Sequence, residues 1–152
     1  MRKTINQQYN MKKEIKFNEI KGDDGHLVSP VLKGGSKNYL IDIDGTVTDD
    51  VPNEEPERMS VVLPYEGAVE TLNKWFDEGN VITFFTSRTE EVRNITETWL
   101  DNHGFKYHGL LMGKPRGGNY HWVDNHIVRG TRYNGVWSDL VEKEVTIEVF
   151  QD

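Results

Sequence analysis

Two aspartates, Asp42 and Asp44, stand two residues apart where the apolar run Tyr39-Leu40-Ile41 stops, and a Gly45-Thr46 turn follows. Residues i and i+2 of a strand point to the same side, so the chain aims both carboxylates at one place. Two carboxylates ~4 Å apart repel by ~1 kcal/mol even in water, and by more when partly buried. A hard divalent cation, or a proton on one partner, offsets such a repulsion. Either answer implies chemistry; the plain alternative for this segment alone is a strand that ends in an acidic turn.

The elements that must position the pair are legible in the periodicity. Residues 39–44 read as a buried parallel strand. Residues 47–64, rich in Asp, Glu and Pro, read as a loop or flap. A helix is expected from Pro64-Tyr65-Glu66-Gly67 onward, with Ala68, Leu72, Trp75 and Phe76 on its buried face and Gly79 as its stop. Val81–Phe85 reads as a second buried strand. A second helix over 90–102 carries Val92, Ile95, Trp99 and Leu100 inward, and His108–Met112 follows as a third strand. Tyr120–Val123 reads as a fourth strand, residues 134–141 as a short helix, and Val145–Phe150 as an edge strand. Residues 1–36 hold few large apolar side chains and read as an N-terminal arm, loose or packed on a domain spanning 37–152; Met11 to Ile20 could add an edge strand. This order implies an α/β fold: a single Rossmann-like domain, an open, mostly parallel sheet flanked by helices on both faces. Neither interval between the chemical motifs has room for an inserted domain, so no cap domain is expected.

In such sheets ligands bind beyond the carboxyl ends of the strands. Four ends carry chemistry here: Asp42/Asp44, Thr86-Ser87-Arg88, Lys114 and Asp124-Asn125. Carboxylates, hydroxyls and an ammonium in one place suit phosphoryl transfer through an aspartyl phosphate. Attack by a carboxylate on an anionic phosphate needs its charge neutralised, which Mg2+ and a lysine can do. The Asp42 side chain, the Asp44 backbone carbonyl and the Asp124 side chain form a sensible metal-ligand set. Lys114 would neutralise the phosphate, Thr86 would hydrogen-bond a phosphoryl oxygen, and the Asp44 side chain could protonate the leaving group and then activate water.

Asp42-Ile43-Asp44-Gly45-Thr46-Val47 resembles the first signature of the haloacid dehalogenase-like superfamily. Phe84-Phe85-Thr86-Ser87-Arg88, Gly113-Lys114-Pro115 and Trp122-Val123-Asp124 fit its second, third and fourth motifs. The resemblance spans about residues 38–130. Pro64-Tyr65-Glu66-Gly67-Ala68 and Gly113-Lys114-Pro115-Arg116 look most like the small capless phosphatases found near bacterial capsule and surface-carbohydrate genes. The resemblance implies Asp42 as nucleophile, Asp44 as acid/base, a Mg2+ cofactor with Asp42, Asp44 and Asp124 as ligands, and Thr86 and Lys114 on the phosphate. Ser87 and Arg88, in the second motif, join the phosphate-binding candidates. Many relatives carry a second acid where this chain has Asn125, which should weaken magnesium somewhat.

The remaining candidates weigh toward structure. Arg88 is either a substrate contact or, the heavier reading, a structural salt bridge. Arg116 and Gly117-Gly118 suit a tight turn. His121 and His126 read as surface histidines, His126 being the better placed beside Asp124. Trp75, Trp99 and Trp122 read as core, and Trp137 is open. Asp49, Asp50, Glu54, Glu55 and Glu57 form an acidic flap, solvated or rejecting highly anionic substrates. The absence of cysteine excludes disulfides, thiol catalysis and zinc-thiolate sites. A net charge of −7 argues against broad nucleic-acid binding, and no run approaches a membrane span. The expectation is a cytoplasmic, magnesium-dependent phosphatase on a small phosphorylated metabolite, with no membrane or nucleic-acid partner and with a homodimer plausible. The rival readings are a polynucleotide-end phosphatase and a catalytically quiet phosphate-binding domain.

Overall fold

The computed structural model describes residues 21–133, 135–137 and 145–146. The expected edge strand in Met11–Ile20 lies outside them, as do residues 147–150 of the last strand and most of the expected helix at 134–141; residues 135–137 are not helical.

Three parallel strands, β1 (Asn38–Ile41), β2 (Val81–Phe85) and β3 (Gly109–Leu111), form a sheet in the order β1-β2-β3. Leu40 lies beside Thr83 and Thr83 beside Gly109; one step on, Ile41, Phe84 and Leu110 stand abreast. The period-2 alternation therefore sends Ile41, Ile82, Phe84 and Leu110 to a buried face. It leaves Leu40 and Leu111 exposed on the other, with Thr83 and Phe85 half-buried.

Between the strands lie a short helix α1 (Pro56–Met59), α2 (Ala68–Asp77) and, after a 3-10 turn at Glu90–Val92, α3 (Arg93–Asn102). Gly67 takes φ +79° at the start of α2 and Gly79 takes φ +93° just past its end, conformations that only glycine adopts cheaply. Ala68, Leu72 and Trp75 of α2, with Trp99 and Leu100 of α3, join the buried strand residues in one core. Both helices thus cover the same face, where helices on both faces were expected. Consecutive strand order with right-handed crossovers dictates this arrangement.

The segment 47–64 is more than a loop. It contains α1, and Val51 and Met59 pack with Val92 in a second small cluster. Val47 and Thr48 anchor its ends: Tyr65 N–H donates to the Val47 carbonyl, and the Thr48 hydroxyl donates to the Leu63 carbonyl. The Trp99 indole N–H, 2.7 Å from the Val62 carbonyl, ties it to α3. In α3 it is Thr96, not Ile95, that is fully buried; Ile95 is half-buried against the second cluster.

Tyr120–Val123 is not a strand, and Trp122 is 57% exposed rather than core. Gly117 and Gly118, at φ +82° and +64°, turn the chain after Lys114. Local bonds then serve this segment in place of a ladder: Tyr120 Oη donates to the Pro115 carbonyl, and the Trp122 indole donates to Asp124. Trp137 is the aromatic that joins the core, 3% exposed, edge-on to Trp75. A two-residue antiparallel pair, β4 (Arg129–Gly130) with β5 (Val145–Thr146), accounts for the described part of the expected edge strand.

Candidate active site

Strand β1 ends at Ile41, but the alternation runs on: Ile43 is buried, and Asp42 and Asp44 flank it half-buried on the other side. The Ile43 carbonyl accepts the amides of Thr46 and Val47, and Gly45, at φ +79°, donates its N–H to the Thr48 carbonyl. This tight turn returns Thr46 to Asp42, whose Oδ2 accepts the Thr46 hydroxyl at 2.9 Å.

The loops after β2 and β3 are joined by backbone bonds. Lys114 N–H donates to the Thr86 carbonyl and Gly113 N–H to the Arg88 carbonyl. They deliver Lys114 Nζ to 2.6 Å from Asp42 Oδ1. The ammonium also lies over two rings, 5.6 Å from the centroid of Phe85 and 5.2 Å from that of Tyr120.

Arg88 turns inward, 1% exposed, and grips Asp44 with two bonds of 2.8 Å, one to each carboxylate oxygen. A third bond joins it to the Thr96 hydroxyl, which itself donates to the Val92 carbonyl. The structure thus shows Arg88 paired with Asp44. A buried guanidinium cannot shed its charge, so it takes the nearest carboxylate in a two-pronged pair.

These groups open on a cavity of about 220 Å³ lined by Asp42, Asp44, Asp50, Ser87, Lys114 and Tyr120, among others. Asn53 clamps the flap to the β2 loop: its amide donates to the Ser87 carbonyl and its oxygen accepts the Thr89 N–H. Thr86 is fully buried behind this lining, and its hydroxyl oxygen accepts the Arg88 N–H at 3.1 Å.

Of the expected site residues, Asp42, Asp44, Ser87, Arg88 and Lys114 meet at the cavity, and Thr86 stands just behind it. Asp124 is not among the lining residues. It is fully exposed, and its carboxyl is held below the usual carboxylate range by the Trp122 indole N–H and the His126 amide. Among the described residues no three metal-type side chains converge. Of the expected magnesium set, the Asp42 side chain and the Asp44 backbone carbonyl remain as the groups that would hold a metal, and Asp124 does not fit, because it stands outside the cavity. Thr96, Asn53 and Tyr120 are the contributors that sequence reasoning missed. Helical spacing alone hides Thr96 on a buried face, and Tyr120 reads as a strand residue.

A family model for the LNS2 domain of PITM 1-3 matches residues 39–121, just over half of the chain. The chain belongs to the LNS2 domain family. That match spans Asp42, Asp44, the Thr86–Arg88 turn and Lys114, and the LNS2 assignment supports a haloacid dehalogenase-like fold of the phosphatase type. No curated protein matches the chain. Solved structures with a similar backbone include a structural-genomics target from Vibrio cholerae, 26% identical over 58% of this chain and 79% of that one, with a TM-score of 0.43. Chains from two structures of the Pnkp1/Rnl/Hen1 complex, one titled an RNA repair complex, are 18% and 22% identical, each with a TM-score of 0.46. They match 66% and 70% of this chain, which spans 30% and 40% of theirs. No helix among the described residues is long and apolar enough to cross a membrane.

Proposed function

We propose that this protein is a phosphoric monoester hydrolase that acts on a small phosphorylated metabolite, in the first instance a sugar phosphate of surface-carbohydrate synthesis. The observation that carries the reading is the Asp42 carboxylate. It lies at a strand end in an open polar cavity, oriented by the Thr46 hydroxyl and paired with a nearly buried lysine. In the proposed reaction an Asp42 oxygen forms a bond to phosphorus, and the bond from phosphorus to the leaving oxygen breaks. Water then attacks the phosphoryl group, releasing inorganic phosphate and regenerating the carboxylate. Lys114 supplies a positive charge beside the attacking oxygen, where an anionic substrate must approach. Proton transfer through Asp44 requires one of its two bonds to Arg88 to open.

We also propose that turnover needs a divalent cation, Mg2+ by the resemblance, and that the protein acts without a membrane or nucleic-acid partner. The test is phosphate release from a panel of sugar phosphates, nucleotides and an aryl phosphate, with Mg2+ or with EDTA. The expected result is Mg2+-dependent turnover that drops by at least ~10³ in Asp42→Asn, the scale seen when a nucleophile is removed.

The second reading, a catalytically quiet phosphate-binding domain, is favoured by one observation: Arg88 holds both oxygens of the would-be acid/base. Phosphate binding without turnover of any panel member would decide for it and against the hydrolase.

A further inference from the structure

Tyr120 belongs to the third-motif loop but lies beside the chemistry. Its ring lines the cavity, 5.2 Å from Lys114 Nζ, and its hydroxyl is held by the Pro115 carbonyl at 3.2 Å. One part of the ring is thus committed to the loop and the lysine, yet the side chain remains 66% exposed. An aromatic ring pinned at its hydroxyl and still largely exposed is a rigid wall that loses little freedom on binding.

The rest of the rim is polar and carries both signs. Asp50, from the flap, and Arg116, from the Lys114 loop, line the same cavity. Among the described residues neither side chain makes an ion pair or hydrogen bond. The inner charges are already matched, Asp42 with Lys114 and Asp44 with Arg88. Asp50 and Arg116 are therefore the charged lining groups left to meet the body of a ligand. A carboxylate opposes a second anionic group and accepts hydroxyls, and a guanidinium donates to hydroxyls. The cavity they line has a volume of about 220 Å³.

We propose that Tyr120 is a specificity-determining residue that stacks on the ring of a hydroxylated cyclic phosphate monoester, with Asp50 and Arg116 on its hydroxyls. The inference rests on the phosphatase reading of the site and narrows its substrate to ring-bearing, singly phosphorylated compounds over linear ones.

The test is calorimetric binding to full-length Asp42→Asn protein of three probes: glucose 6-phosphate, glycerol 3-phosphate and inorganic phosphate. The same titrations are run with Tyr120→Ala and Tyr120→Phe added. The expected result is that Asp42→Asn prefers the ring phosphate. Tyr120→Ala weakens that probe by about tenfold while changing the other two by less than about twofold, as a lost stacking contact would. Tyr120→Phe, which keeps the ring, retains the preference. Equal weakening of all three probes by Tyr120→Ala would overturn the proposal, since the ring would then act only by covering Lys114. So would a parent protein with no preference for the ring. Failure of every probe to bind, in a folded protein, would overturn the phosphate-site reading itself, a distinct result.

Discussion

Arg88 shows how one side chain can follow a motif and yet serve the fold. It ends the second motif, where a substrate contact and a structural salt bridge were the two readings, and it is buried with both arms on Asp44. Removing one member of such a pair strands the other charge, at a cost of about 3–5 kcal/mol. Arg88→Met is therefore expected to lower unfolding free energy by that order in a denaturant titration. Arg88→Met with Asp44→Asn, which removes both charges, should recover part of the loss. A single variant as stable as the parent would mean that the pair does not hold the site together. Thr96→Val tests the same network more gently, because it takes away the hydroxyl that receives the third guanidinium bond.

At the scale of elements, the strand ends work because the loops beyond them are tied to one another. The Lys114 N–H donates to the Thr86 carbonyl, and Asn53 clips the flap to the β2 loop. At the opposite end of β2 a histidine performs a similar task. His108 precedes β3, its Nδ1 accepts the Ile82 N–H at 3.1 Å, and its ring stacks on Phe76 of α2. Burial pushes the His108 pKa down. The unfolded chain protonates this residue near ~6.5, whereas the folded chain resists the proton. Its contribution to stability is thus present above that value and is lost as pH falls from there toward the lower folded pKa. Melting temperature should decline between about pH 7 and pH 5, and the decline should be shallower in His108→Gln. Equal slopes for the two proteins would remove His108 from the account.

For the molecule as a whole, the core extends beyond the span of the family match. Trp137 sits against Trp75 and Tyr133, and its indole N–H donates 2.9 Å to the Thr46 carbonyl in the turn that carries Asp42 and Asp44. The far end of the chain therefore braces the turn at the site. Trp137→Ala should cost about 3–5 kcal/mol, the range for a large aromatic removed from a core. It should also weaken binding of inorganic phosphate, which calorimetry reads. Stability lost with phosphate binding intact would show that the brace serves the core alone.

How far the sequence carried this reading follows from where the information is local. The Asp42/Asp44 pair, the strands at 81–85 and within 108–112, and the helix stops at Gly79 and Gly104 all follow from patterns within a few residues; the meeting of Lys114 with Asp42, seventy-two residues away, was expected from the strand-end rule and the family resemblance. The period of two and the period of 3.6 decide which side chains turn inward, and a glycine at positive φ decides where the chain turns. The same local reading misjudged Tyr120–Val123, because a tetrapeptide rich in aromatic and β-branched residues resembles a strand whether or not a neighbouring strand stands beside it to complete the ladder. Trp122 and Asp124 were misplaced with it. The two helices on one face, the partner of Arg88 forty-four residues away and the place of Trp137 were decided only by tertiary structure. Each depends on which distant groups a buried charge or an indole N–H can reach, and a one-dimensional pattern carries no such distances.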